Sequence, residues 1–163
     1  MYVIDTDALL TISALVPSEE INLLLEELVP LVEQGEVCFP DLVISELRRL
    51  AHGESVALWI RSVAGSRKCK SVAYSYTIQV LAAADSLLDE AGEEESSQVA
   101  VAAMALHLGN SQNEAVKVVT EDRRPLPTRS CLAEACKELG LVEMTALDFI
   151  RQAGLQSFLP GES

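Results

Sequence analysis

Apolar residues come in two rhythms along this chain. Short, largely apolar runs, Val3-Ile4, Val37-Cys38-Phe39, Val116 to Thr120 and Leu141-Val142-Glu143, have the character of short strands. Between them the apolar positions fall at helical spacing. One helix is predicted from Ala8 to Leu15. A second starts at Pro17-Ser18-Glu19-Glu20, with acids in its first turn, and runs through Leu23, Leu24, Leu28 and Leu31 towards Gly35; Pro30 kinks or shortens its end. A third is capped by Asp41 and carries Ile44, Leu47 and Leu50 on one face. Further helices are predicted at Glu54 to Ala64, Thr77 to Glu90, Gln98 to Leu108 and Ser130 to Leu139. Thr145 and Asp148 stand in a variant capping box that opens a last helix to about Ala153.

Short apolar strands alternating with helices imply parallel pairing with helices on both faces. The expected fold is therefore α/β, a three-layer α/β/α sandwich around a short, mostly parallel sheet of about four strands. With 163 residues, 49% of them hydrophobic, the chain holds one ordinary domain, expected over 1–155, and a loose tail over 156–163. Aromatics are only 4%, so the core is aliphatic. Met1 to Ile4 lacks the basic lead of a signal peptide, and no apolar run reaches the ~18 residues of a membrane span. These features set the expectation of a soluble cytoplasmic protein.

Charge changes the picture in two ways. The net charge of −13 opposes casual nucleic-acid binding, which relies on phosphate neutralisation. The charge is also uneven. Residues 55–84 hold no acid and carry Arg61, Arg67, Lys68 and Lys70, whereas Asp85 to Glu95 hold six acids and no base. A second basic patch, Arg123, Arg124 and Arg129, follows Asp122. The four cysteines, Cys38, Cys69, Cys131 and Cys136, form no CxxC pair and have no histidine at zinc spacing, so they read as reduced and mostly buried thiols. His52 and His107 lie far from any motif and read as structural.

In a parallel sheet the binding crevice lies beyond the carboxyl ends of the strands. Asp5 follows the first strand and Asp122 the strand ending at Thr120, so topology alone brings these two acids to one rim. Clustered carboxylates repel one another unless cations neutralise them, which points to bound metal.

At these residues the chain resembles the PIN-domain nucleases, the family that includes the toxin ribonucleases of bacterial and archaeal toxin–antitoxin pairs. The likeness runs from Val3 to about Leu155. VIDTD is similar to the family's opening strand and turn, with Asp5 as the first acid and Asp7 in place of the usual Asn. SELRRL gives Glu46 as the second acid. EESSQVAVAAMAL offers Glu95 as the third, with Glu94 as an alternative register and Glu in place of the usual Asp. VVTED supplies Thr120 and Asp122, with Glu121 as a competitor for the fourth role. LAEACKELGLVEMTALDFI looks like the family's closing helix, strand and helix.

The resemblance implies a metal-dependent endoribonuclease. Mg²⁺ or Mn²⁺ would be held by Asp5 as bridging ligand with Glu46, Glu95 and Asp122, directly or through water. Such ions prefer oxygen ligands and keep several waters. In a two-metal arrangement roughly 3.5–4 Å apart, one activates water and the other stabilises the leaving oxygen, so no histidine base is needed. Thr120 is expected to orient Asp122, and Arg48, Arg123 and Arg124 to meet substrate. The implied partners are single-stranded or looped RNA, an antitoxin protein and a second copy of the chain, through helices around Leu23–Leu31 and Val56–Ile60.

Two other readings compete. A catalytically silent PIN-like domain would use its acidic surface to bind a basic protein. A haloacid-dehalogenase-type phosphohydrolase would use DTD as its nucleophile motif, but Leu9 stands where that family wants Thr or Val, and the downstream Lys and acidic pair have no counterpart. Phosphate-binding glycine loops, a Ser/His/Asp triad and a dinucleotide fingerprint are absent from the sequence.

Overall fold

The structure, a computed structural model, describes residues 1–89, 92, 96–112 and 114–161. It is an α/β sandwich with a four-stranded, wholly parallel sheet ordered β2-β1-β3-β4. The strands are β1 (Tyr2–Ile4), β2 (Val37–Cys38), β3 (Lys117–Val119) and β4 (Val142–Met144). The helices are α1 (Thr6–Leu15), α2 (Ile21–Gln34), α3 (Asp41–Leu50), α4 (Ser55–Val63), α5 (Tyr74–Ala83), α6 (Ser97–Gln112), α7 (Leu132–Glu138) and α8 (Ala146–Gln152).

The centre of the sheet is aliphatic. Val3, Ile4, Val118 and Val119 are buried, with Tyr2, Val3 and Ile4 in register with Lys117, Val118 and Val119. Helix α6 packs across β1 and β3. Its Val101, Ala102, Ala103, Met104 and Ala105 are all buried, and the run of alanines lets its backbone lie close to the sheet. From β1 the chain first builds β2 on one side and later β3 on the other. The sheet therefore changes winding direction between β1 and β3, the place where open parallel sheets form a crevice.

Several boundaries differ from the sequence expectation. Helix α1 begins at Thr6 rather than Ala8, because the Asp5 side chain caps it by accepting from the Ala8 N–H at 2.7 Å. Helix α2 begins at Ile21, four residues beyond Pro17, and runs through Pro30 to Gly35, which ends it in the left-handed region at φ 81°. It buries Leu24, Leu25 and Leu28 and leaves Leu23 exposed. Pro40, not Asp41, stands at the cap position of α3. Helix α5 starts at Tyr74 and stops at Ala83, followed by one 3₁₀ turn at Asp85–Leu87. The segment after Gly154 is not loose over 155–161: it forms a 3₁₀ turn at Gln156–Phe158 and buries Leu155 and Leu159 in the core. The apolar faces assigned to a dimer contact are largely spent internally. Val56, Ile60, Leu24 and Leu28 are buried where α2 packs on α4, and Leu23 and Leu58 remain outside. Among the described residues, no helix is long and apolar enough to cross a membrane.

Candidate active site

Asp5 and Asp122 leave the carboxyl ends of β1 and β3, adjacent parallel strands. The Asp5 N–H donates to the Val119 carbonyl at 3.0 Å, which continues the ladder one residue past the strand and fixes where the side chain begins. The carboxylate has two roles. One oxygen caps α1; the other accepts a hydrogen bond from the Thr120 hydroxyl. That hydroxyl in turn accepts from the Asp122 N–H at 3.0 Å. Thr120 therefore orients Asp5 directly and Asp122 through its backbone, whereas the sequence reading had it orient Asp122 alone.

Asp5 is 3% exposed, and among the described residues no basic side chain pairs with it. Burial pushes its carboxyl up to about 7, against the lowering effect of the Thr120 and Ala8 hydrogen bonds, and Asp7 and Asp122 add further repulsion. Asp7, half-buried in the first turn of α1, is also raised, by burial first and then by Asp122 and Glu46, with Glu121 adding to it and Arg129 opposing it. These mutual effects mark Asp5, Asp7, Glu46, Glu121 and Asp122 as one electrostatic neighbourhood.

Glu46 faces this group. Its Oε1 accepts from the Thr6 hydroxyl at 3.1 Å, next in sequence to Asp5. Arg49 lies 4.0 Å from its other oxygen, one turn along α3. Glu121 is turned elsewhere: its carboxylate accepts from the Ala146 N–H at 2.8 Å and holds the start of α8. Glu94 and Glu95 lie outside the described residues.

Asp122 carries a feature that no sequence pattern foretells. Arg129 grips both of its carboxylate oxygens, at 2.9 and 3.2 Å, and the Leu132 N–H adds a third bond at 2.8 Å. The pair is nearly closed to solvent, with side chains 11% and 7% exposed. Arg129 lies beyond a Pro-rich turn, Arg124-Pro125-Leu126-Pro127, closed by the Leu126–Arg129 bridge. Its place in the basic patch was legible; its inward direction depends on that turn.

The other cations divide. Arg123, expected to meet substrate, is bound to the Thr120 carbonyl and the Glu143 carboxylate and so ties β3 to β4. Arg48 and Arg124 are exposed. Arg67, counted in the basic loop, is buried against Phe39 and pairs with Asp41. His107 accepts from the Ala73 N–H at 3.0 Å, a structural contact.

These residues test the expected ion. Carboxylate oxygens are the right donors for Mg²⁺ or Mn²⁺, and no cationic side chain among the described residues is bonded to Asp5. Among the described residues, however, no group of three or more His, Cys, Asp or Glu side chains is gathered to hold a metal. The arrangement fits an ion that takes one or two carboxylates and keeps its waters; it does not form an all-protein cage.

Fold and site together define an α/β domain with neighbouring carboxylates at the winding reversal of a parallel sheet. The chain belongs to the family described as a domain of unknown function (DUF4411), whose profile matches residues 2–157. No curated protein matches the chain. No solved structure matches it either.

Proposed function

We propose that this group of carboxylates is the active site of a divalent-cation-dependent phosphodiesterase acting on single-stranded RNA, in the manner of the PIN-domain nucleases that the sequence resembles. The observation that carries this reading is the meeting of Asp5 and Asp122 through Thr120, with Asp7 and Glu46 in the same electrostatic neighbourhood. A buried carboxylate at its ionised limit demands a counter-cation. Asp5 and Asp7, with Glu46 at the edge, would hold Mg²⁺ or Mn²⁺, which would supply an activated water and shield the charge of a phosphodiester. Thr120 keeps the Asp5 oxygens in position by donating to one of them, and the Ala8 N–H holds the other. Arg124 and Arg48 stand exposed on the elements that carry Asp122 and Glu46, where a phosphate backbone would meet them. The toxin role, with an antitoxin partner, is the setting that the resemblance favours for such an enzyme.

One observation favours the catalytically silent reading. Arg129 already neutralises Asp122, as a fixed internal cation can in place of an ion. The two readings separate in one experiment. Unstructured RNA is incubated with the protein and Mn²⁺, in parallel with Asp5→Asn, and thermal unfolding of both is followed as Mn²⁺ is added. The enzyme reading expects Mn²⁺-dependent cleavage and a Mn²⁺-dependent rise in Tm, both lost in Asp5→Asn. A protein indifferent to Mn²⁺, or a variant that cuts equally well, overturns it.

A further inference from the structure

The rim of the sheet opposite the acids carries charge of the other sign. Met1 precedes β1 and Gly35 lies two residues before β2, so both stand at the amino ends of the strands. There a cavity of about 220 Å³ opens between the end of α2, the α4–α5 loop and the last turns of α6. Lys68, Lys70, Ser71, His107 and Ser111 border it, and no Asp or Glu does. In a chain of net charge −13, a cavity walled by cations and neutral donors is an exception.

The donors are held in place. The Lys68 N–H donates to the Val32 carbonyl at 3.3 Å, and the side chain lies across Gly35, where a β-carbon would come within 2.9 Å of the Lys68 Cδ. Gly35 holds φ 81°, so glycine both ends α2 and leaves room for this lysine. Arg67 anchors the loop by donating to the Phe39 carbonyl at 3.0 Å. Lys70 spends one ammonium proton on the Gly65 carbonyl at 2.7 Å and keeps the others. His107 accepts the Ala73 N–H at its Nδ1, so the neutral ring carries its proton on Nε2. Among the described residues, neither that Nε2 nor the Lys68 ammonium has a hydrogen bond or an ion pair. Glu36, next to Gly35, does not border the cavity and lies 3.8 Å from the Met1 amine.

We propose that this cavity binds the dianionic phosphoryl group of a small molecule, either free phosphate or a phosphate monoester such as a nucleotide. The donor set selects that chemistry. No arginine borders the cavity, so a carboxylate finds no planar fork to pair with. Lysine ammonium groups act as point charges, and an imidazole N–H and two hydroxyls add donors from other directions. Such a set suits a tetrahedral group with three terminal oxygens. The volume is that of about seven waters at ~30 Å³ each, enough for the phosphoryl group and the first atoms of an ester. The acids of the other rim do not forbid it. Three strand residues span about 10 Å, and physiological salt largely screens exposed charges beyond about 8 Å.

Calorimetric titration of the full chain, at physiological salt and with a chelator present, supplies the test. Inorganic phosphate, uridine monophosphate and uridine are the separate probes, and the chelator closes any route through a metal at the carboxylates. Saturable binding is expected for a phosphorylated probe and none for uridine. A nucleotide that binds no tighter than phosphate names free phosphate as the source, and tighter binding names an ester. Amide NMR shifts of the unaltered chain should move at Lys68, Ser71, His107 and Ser111, which locates the site whether or not a variant folds. Lys68→Gln should weaken binding about tenfold or more, since a charge-assisted hydrogen bond is lost. Arg61→Gln removes the same charge from an exposed position on α4 outside the cavity and should leave binding unchanged. Failure of both phosphorylated probes, equal binding of uridine, a Lys68→Gln that binds as well, equal weakening by Arg61→Gln, or shifts confined to the other rim overturns the proposal. The outcome is independent of whether the carboxylates hydrolyse RNA.

Discussion

Asp5 works as a cap and as a member of a charge cluster, and the two roles pull its energetics apart. As a cap it accepts the Ala8 N–H and starts α1, a contribution of about 1 kcal/mol. As a buried acid raised from 3.8 to about 7, it is stable in the folded state only while protonated. Below pH 4 both folded and unfolded chains carry the proton, and no penalty appears. Between about pH 4 and pH 7 the unfolded chain releases the proton and the folded one keeps it, so stability falls as pH rises, by about 4 kcal/mol across the window. Asp7 shifts in the same direction and adds to the slope. We expect chemical denaturation in chelator-containing buffer to show a decline from pH 4 to pH 7 that Asp5→Asn flattens, since asparagine can still cap α1 but cannot ionise. A stability that rises through this window would remove the account of Asp5 given above.

Elements are joined here by side chains that a linear pattern does not reveal. The central strands were legible as short apolar runs, because Val3, Ile4, Val118 and Val119 are buried, whereas β4, with Val142 exposed and Glu143 in its middle, left a weaker mark. The alanines of α6 were legible for the same reason. Helix ends were harder to read. The start of α1 rests on Asp5 and that of α8 on Thr145 and Glu121; the Thr145 to Asp148 pattern is local, while Glu121 arrives from the far end of β3. Asp5 and Asp122 could be placed together from topology alone, because both end adjacent strands. Arg129 could not be aimed, since its direction is set by a proline-rich turn without helical or strand periodicity. Arg129 joins that turn to Asp122, which also holds the start of α7. Replacing it by Met should leave Asp122 buried beside other acids, at a cost of about 3 kcal/mol in urea unfolding at neutral pH. If Arg129 instead stands in for a metal ion at Asp122, the same variant will bind Mn²⁺ more tightly while being less stable.

For the molecule as a whole, the limit of the core was read too short. The domain was expected to end at residue 155, but Leu159 is buried with Leu155 among the other core side chains. Each buried leucine contributes about 1.5–3 kcal/mol. A chain ending after Gly154 should therefore unfold with a clearly lower midpoint in urea, by about 3 kcal/mol or more in free energy. An unchanged midpoint would show that the segment merely rests on the surface.

The pairing of β1 with β3 bears on how such a protein is made. A ribosome delivers Asp5 well before Thr120, which steadies it and follows 115 positions later. Parallel strands that far apart in sequence close late, after costly loop ordering. The growing polypeptide thus carries Asp5, Asp7 and Glu46 before Thr120 and Asp122 exist to meet them. Until Thr120 has been added, the nascent Asp5 carboxylate lacks the hydroxyl that holds its second oxygen.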